Sequence, residues 1–508
     1  MTRLALLVPL IVAAFLRFHR IGLPVLTSDE AFSWRLIRYP LPGMLRRLAL
    51  DVHPPLYYFA LDAWAVVCGD SPAAIRALSA LLGVLAVAMG YAVCLEALRF
   101  GADAASPRAR MGALLVAAVM AIQTAPVGHG RNARMYALAI LLGAVTCWSL
   151  LRAMRAGESR RRFWVAYALS VAAFCATHYY ALFTVAAQAL FVFVASRSPA
   201  TPLASPAPDA VRRRMVMALG FAAALYVPWV PVMLRQVEQV RQAYWIPAPS
   251  PSTLGWSIVQ WAAGTELRFG LPLPWLLIVG ALIAWAWLRG GAGARFLLVQ
   301  ALLPWVLGLA ISLLGGRPIV LERYMAFGQF FLVCAWGVAW ARTSSAVARM
   351  VGAVALVGLC AAGLATTWTA RYPDRPPAFW YAARYLKRQS APGDLVLVRS
   401  PRALNKLRAY GQLVDAVRLD VRYIAAPAAG DDHFSHLPSL DEGDVLPSDP
   451  FLDHTPRTIW RVEDVRTAPE HAPPGWAMTH ARMIDGGDAP VVLVAGYAPS
   501  SQVTPPIP

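Results

Sequence analysis

The chain has 508 residues, 58% of them hydrophobic and 15% charged, with a mean hydropathy of +0.51. Apolar runs of helix-spanning length recur along most of it, which excludes an ordinary soluble domain and describes a polytopic membrane protein. The formal charge of +18 would point to nucleic acid in a soluble protein. Here the arginines stand in short loops between apolar runs, so the charge reports topology and no nucleic-acid partner is expected.

In chain order, the criterion of apolar runs near 20 residues gives about eleven transmembrane helices. They are Leu4 to Leu16, Ala73 to Leu95, Met111 to Val127, Tyr136 to Leu151, Phe163 to Ala176, Tyr180 to Ala195, Met215 to Leu234, Leu271 to Trp287, Phe296 to Leu314, Tyr324 to Trp340 and Val351 to Thr367. The first is as short as a signal peptide, but Leu16-Arg17-Phe18-His19 follows it without a small-residue cleavage site, so an uncleaved helix is expected. Arginine clusters recur after every second span: Arg99, Arg108 and Arg110; Arg152, Arg155 and Arg160 to Arg162; Arg197 and Arg212 to Arg214; Arg289 and Arg295; Arg342 and Arg349. By the positive-inside rule these loops are cytoplasmic, which puts the N-terminus in the cytoplasm and the C-terminus outside the inner (plasma) membrane.

Residues 1–371 are therefore expected to form a transmembrane domain with a large first outer loop over residues 19–72, and residues 372–508 an extracytoplasmic domain. In the latter, Pro377 to Lys387 reads as a helix with an aromatic face and Ala391 to Asp394 as a turn. Strands are expected at Leu395 to Val398, Thr458 to Val462 and Val491 to Ala495, which makes a small α/β domain with a mobile middle around Ala425 to Pro450. The six cysteines all lie upstream of it, so this domain cannot be stapled by disulfides. No His/Cys cluster suggests a structural metal.

With this topology, the polar residues that interrupt the hydrophobic pattern collect on the outer face. Asp29 and Glu30 stand in the first loop within TSDEAFSWRLIRYP, followed by Asp51, His53, Tyr57 and Tyr58 in DVHPPLYY. The next outer turns hold Arg131, Arg134 and Tyr136, then His178, then Arg317, Glu322 and Arg323. Ionisable groups near a bilayer are costly and tend to mark a substrate site. Arginine forks suit phosphate oxygens, and a carboxylate such as Asp29 can take a proton from an attacking hydroxyl or amine, or hold a divalent cation. Together these fit a transfer in which a membrane-bound phosphate leaves and an outside acceptor attacks.

The order of these motifs resembles the family-39 glycosyltransferases: a first helix, the Asp29-Glu30 pair, HPPLYY at His53 to Tyr58, RNARMYAL at Arg131 to Leu138, His178, and ERY at Glu322 to Tyr324. These are relatives of protein O-mannosyltransferases and of the lipid A aminoarabinose transferases, with the multispanning GT-C fold. The resemblance implies inverting transfer of a sugar from a polyprenyl-phosphate donor to a glycan, lipid or protein acceptor on the outer side. It makes Asp29 the catalytic base and Glu30 its companion, and Arg131, Arg134 and Arg323 the donor phosphate-binding residues. Asp51, His53, Tyr58, Tyr136, His178 and Glu322 are further site candidates. His53 stands where the aminoarabinose transferases have a phosphate-contacting lysine.

Each residue also has a plainer reading. Asp29 and Glu30 suit the first turn of a helix capped by Ser28, and Asp51 suits a cap beside the prolines. Arg131 and Arg134 suit snorkelling and His178 an interfacial position. Glu322 and Arg323 suit a local pair. A transporter or flippase is the alternative function, but such proteins place polar groups near the bilayer midplane on interrupted helices, and the mid-span positions here are nearly free of charge.

Overall fold

The computed structural model describes residues 2–23, 26–100, 106–155, 161–197, 208–242, 250–264, 271–315, 318–371, 378–398, 401–413, 420–424, 445–446, 458–464, 472–484 and 492–500. The boundary expected near Tyr372, Pro377, Arg317 and all but Val445 and Leu446 of the Ala425 to Pro450 segment lie outside these residues.

The helices run α1 (Thr2–Phe18), α2 (Ser28–Leu36), α3 (Leu41–Leu50), α4 (Leu56–Cys68), α5 (Pro72–Arg99), α6 (Pro107–Ile122), α7 (Thr124–Gly130), α8 (Tyr136–Arg155), α9 (Arg161–Cys175), α10 (Ala181–Ala195), α11 (Pro208–Tyr226), α12 (Val230–Gln242), α13 (Pro251–Ala263), α14 (Pro272–Arg289), α15 (Gly291–Gly315), α16 (Ala326–Arg342) and α17 (Ala346–Arg371). Nine of the eleven expected spans each fall on one of them, while Met111 to Val127 covers both α6 and α7 and Met215 to Leu234 covers α11 and the start of α12. Among the described residues, seven helices are long and apolar enough to cross a membrane, or eight if α6 and α7, bent by 63°, are one broken span. Of the other expected spans, α1 has 17 residues and α9 and α10 have 15 each, near or below the shortest length that crosses a hydrocarbon core. Length and composition thus carry seven or eight of the about eleven expected crossings.

Within residues 19–72, expected as one large loop, the chain forms the helices α2, α3 and α4. Their hydrophobic residues are interspersed with prolines and charges, which hides the helical period. The break between α6 and α7 is likewise built. Arg17, 1% exposed, donates from Nη1 to the Ala121 carbonyl and from Nη2 to the Met120 carbonyl, both at 3.2 Å. These are groups that a helix end leaves without intrahelical partners. The Gln123 side chain donates to the Ala263 carbonyl at 2.9 Å, and the Ala125 N–H to the Gly264 carbonyl at 2.9 Å. Gly83 and Gly130 make room for Arg17, since a Cβ at either would stand within 2.9 Å of it.

The arginine-bearing helix ends gather at the opposite end of the bundle. Buried Glu96 of α5 pairs with Arg99 at 3.2 Å, Arg152 at 3.2 Å and Arg155 at 2.7 Å. α15 begins beside them, its Gly293 so close to α5 that a Cβ there would meet the Ala97 carbonyl at 2.0 Å. α16 is buried along its length at the bundle centre. Interhelical polar contacts hold the interior, among them Gln188 to Gln300 at 2.7 Å and to Thr146 at 3.2 Å.

The C-terminal region adds α18 (Ala378–Gln389), β1 (Leu395–Val398), α19 (Pro401–Leu413), β2 (Val421–Ile424), β3 (Val445–Leu446), β4 (Ile459–Asp464), β5 (Trp476–Ile484) and β6 (Val492–Pro499). They form one mixed sheet in the order β3-β2-β1-β4-β6-β5, parallel from β3 to β4 and antiparallel through β6 and β5. The three expected strands correspond to β1, β4 and β6. The C-terminal elements share one hydrophobic core with α2, α3 and α4: Phe379, Leu386, Leu404 and Trp460 belong to the same buried cluster as Phe32, Trp34, Leu48 and Tyr58.

Candidate functional site

Thr27, not Ser28, caps α2. Its hydroxyl accepts from the Glu30 N–H at 3.3 Å, while the Glu30 carboxylate accepts from the Thr27 N–H at 2.9 Å, a reciprocal capping box. This leaves Asp29 in the first turn, half-buried, where the helix dipole favours a carboxylate.

Glu30 points the other way, into the protein, and is 1% exposed. Arg76 of α5 grips it with two forked bonds, Nε to Oε1 at 2.6 Å and Nη2 to Oε2 at 2.7 Å. The Ala133 N–H donates to Oε1 at 3.0 Å, and Arg76 Nη1 reaches the Ile21 carbonyl at 2.9 Å. Burial alone would raise the Glu30 pKa, but the Arg76 charge and these donors outweigh it and hold the carboxyl below its ordinary value. One carboxylate therefore ties together the start of α2, the start of α5 and the loop that carries Arg131 and Arg134. Arg76 carried no signal in the sequence beyond that of a lone arginine in the first turn of an expected span.

Arg134 sits in that loop, 4% exposed. Its Nη1 donates to the Tyr58 hydroxyl at 3.1 Å and to the Asp29 backbone carbonyl at 3.4 Å, and its Nη2 faces His53 Nε2 at 3.1 Å. A guanidinium only donates, so His53 Nε2 accepts and His53 is neutral with its proton on Nδ1. That N–H donates to Asp51 Oδ2 at 2.8 Å. Asp51 ends α3 as its C-cap and is fully buried. The buried Asp51 Oδ1 and Arg134 Nε have no hydrogen-bond partner among the described residues. Burial pushes the Tyr58 hydroxyl up, against the pull of Arg134, so it stays protonated.

Behind Arg134 lies an aromatic group around His178. The ring lies 5.5 to 6.0 Å from those of Tyr136, Tyr180, Tyr324 and Phe327. His178 Nδ1 accepts from the Tyr180 N–H at 3.2 Å, which leaves the proton on Nε2. Burial first, then nearby positive charge, that of Arg134 and Arg323 included, pulls its pKa down to about 3. Arg323 is exposed on a 3-10 turn (Glu322–Met325), 5.5 Å from the Tyr324 ring centroid, and Glu322 opens that turn half-buried. The Asp29 charge acts on both Arg134 and Arg323. Asp29, Asp51, His53, Tyr58, Arg134, Tyr136, His178 and Arg323 thus form one neighbourhood.

Arg131 stands apart from it. Its Nη1 donates to the carbonyls of Leu16 at 2.8 Å, Arg17 at 3.3 Å and His19 at 2.8 Å, and so closes the end of α1. Among the described residues no three or more His, Cys, Asp or Glu side chains group as metal ligands. The site as described does not present a divalent-cation cage.

No family model and no curated protein matches the sequence. Solved structures do match the fold. ArnT from Cupriavidus metallidurans in the apo state superposes with a TM-score of 0.61 over 96% of this chain and 97% of that one, at 13% identity. The same protein bound to undecaprenyl phosphate gives 0.61 at 12% identity, again over 96% and 97%. An oligosaccharyltransferase from Archaeoglobus fulgidus gives 0.48 at 12% identity, over 81% and 63%. The chain shares the GT-C fold of the two ArnT structures.

Proposed function

We propose that the chain is an inverting glycosyltransferase that takes a sugar from a polyprenyl-phosphate carrier and passes it to a glycan, lipid or protein acceptor on the extracytoplasmic face. The observation that carries this is the placement of Asp29, half-buried in a helix first turn and within electrostatic reach of Arg134 and Arg323. A fold shared with a protein seen bound to undecaprenyl phosphate supports it.

In this reading the carrier phosphate lies against Arg134 and Arg323, whose charge meets the negative charge that develops as the bond from the sugar carbon to the phosphate oxygen breaks. Asp29 accepts the proton of the acceptor hydroxyl or amine as its lone pair forms the new bond from the opposite face. The proton ends on Asp29, the electron pair of the broken bond on the phosphate, and the configuration at the sugar carbon inverts. His178 is a neutral donor at this boundary. Glu30 and Arg131 shape the site: both are committed to holding backbone, Glu30 together with Arg76. Asp51 and His53 aim Arg134.

The site faces the extracytoplasmic side because the arginine-rich helix ends gather at the other end of the bundle. About eleven crossings, a transmembrane domain over residues 1–371 and an outer domain over residues 372–508 follow from the same orientation. A transporter is disfavoured because the broken α6 and α7 pair has its freed carbonyls taken by Arg17 rather than left to line a passage. Purified protein in detergent is expected to transfer labelled sugar from an undecaprenyl-phosphate sugar and not from a nucleotide sugar. The reverse result ends this reading.

A further inference from the structure

The C-terminal domain touches the Asp29 helix at a defined point. Tyr410 of α19, 1% exposed, donates from its hydroxyl to the Leu26 carbonyl at 2.6 Å. Leu26 is itself fully buried and lies outside any helix or strand, so its carbonyl needs a partner from elsewhere in the fold. It immediately precedes Thr27, the cap of α2, and stands three residues before Asp29. Around the bond, Leu404, Leu407 and Tyr410 share a core with Ala31, Phe32 and Trp34 of α2.

The other anchors of the α2 start come from the membrane domain. Arg76 and the Ala133 N–H hold Glu30, and Arg134 reaches the Asp29 carbonyl. On α2 itself they act at or after Asp29, and Arg76 also holds the chain further back, at the Ile21 carbonyl. Tyr410 acts before the cap, on the other side of the residue that matters. A helix start whose residue next to the cap is loose can pivot about that cap, and a shift of about 1 Å in a reacting group costs roughly 100-fold in rate.

We propose that Tyr410 is a positioning residue: its bond to Leu26 fixes the backbone from which Asp29 projects, and the C-terminal domain thereby forms part of the transfer machinery. This rests on the reading of Asp29 as the base. The domain acts here as a brace across the lead into α2.

The test uses full-length Tyr410→Phe, which keeps the ring in the core and removes only the hydroxyl. Tyr497→Phe, in a separate core of the same domain, is the control for general loosening. Two readouts are taken on each protein: hydrogen exchange of the Glu30 and Ala31 amides, which close the first turn of α2 onto Thr27, and kcat against KM for an undecaprenyl-phosphate sugar. Loss of one neutral hydrogen bond should raise exchange there about fivefold. It should also lower kcat about tenfold, with donor KM within about twofold. Tyr497→Phe should change neither. Unchanged exchange at these amides in Tyr410→Phe overturns the proposal, as does unchanged kcat, or an equal effect of Tyr497→Phe. Should the wild-type protein transfer nothing from any lipid-phosphate sugar, the proposed reaction is what fails, and the exchange measurement still decides whether Tyr410 holds the α2 start.

Discussion

Replacing Glu30 by glutamine keeps its size but takes the charge out of a carboxylate that is 1% exposed and gripped by an arginine that is 3% exposed. Removing one partner of such a buried pair costs about 3–5 kcal/mol, because the other charge stays behind without compensation. Glu30→Gln should fall at the upper end, since the amide NH2 turns a donor toward a guanidinium that has lost a charged acceptor. Arg76→Met should fall at the lower end. There the carboxylate keeps the Thr27 and Ala133 N–H groups and can also take up a proton. The double variant is expected to be less destabilised than Glu30→Gln alone, because no buried charge remains in the pair. The pH dependence has a fixed sign. The folded pKa of Glu30 lies below its ordinary 4.5, so its contribution is complete above about pH 4.5 and is lost as pH falls through the folded value. Glu30→Gln should lose that acid-side slope. Denaturant unfolding in a mild detergent, followed by tryptophan fluorescence, reads all of this. A Glu30→Gln protein within about 1 kcal/mol of wild type, or a double variant as unstable as the sum of the singles, refutes the reasoning.

Three other outcomes follow from the same geometry. His53→Ala frees Arg134 Nη2 and strips buried Asp51 of its donor, so affinity for undecaprenyl phosphate should fall about tenfold by equilibrium binding. His178 is neutral when folded down to about pH 3 against an ordinary 6.5, so the unfolded chain takes up its proton first. The associated stability is lost as pH falls from about 6.5 toward 3, and His178→Phe should flatten that part of the unfolding curve. Gly83→Ala would place a Cβ 2.7 Å from Arg17 Nε. Displacing Arg17 leaves the Met120 and Ala121 carbonyls unsatisfied, which should cost about 1–3 kcal/mol in the same unfolding assay.

Much of the fold was legible because apolar runs and arginine clusters are one-dimensional signals. The arginine-bearing ends of α5 and α8 do gather around Glu96, and Asp29, Asp51, His53, Tyr58, Arg134 and His178 do stand in one neighbourhood, whereas Arg131 lies apart. What was hidden depends on partners far apart in sequence. Arg17 and Arg76 each read as single arginines at the end of an apolar run, Arg76 in the first turn of its span, yet both are buried in bonds to distant backbone or to Glu30. Their one signal was their position beside a span, where an unpaired charge is expensive. Arg131 and Arg134, three residues apart in one motif, have different employment, because Arg131 meets the end of α1 while Arg134 meets Tyr58 and His53. The order of the C-terminal sheet and the docking of Tyr410 on Leu26 are long-range matters that no local pattern encodes. β2, β3, β5 and α19 were missed for the same reason: such elements stand out only once their neighbours are in place.

The assignment of Asp29 as the base is tested most directly by Asp29→Asn, measured for turnover and for undecaprenyl-phosphate affinity on the same folded, detergent-purified protein. The amide keeps the shape of the side chain and cannot take the acceptor's proton, so kcat should fall by at least about 100-fold. Affinity for the lipid phosphate should stay within about threefold, because the arginines hold it. Near-normal turnover by Asp29→Asn contradicts the assignment and leaves Asp29 as no more than a favourable charge in the first turn of α2.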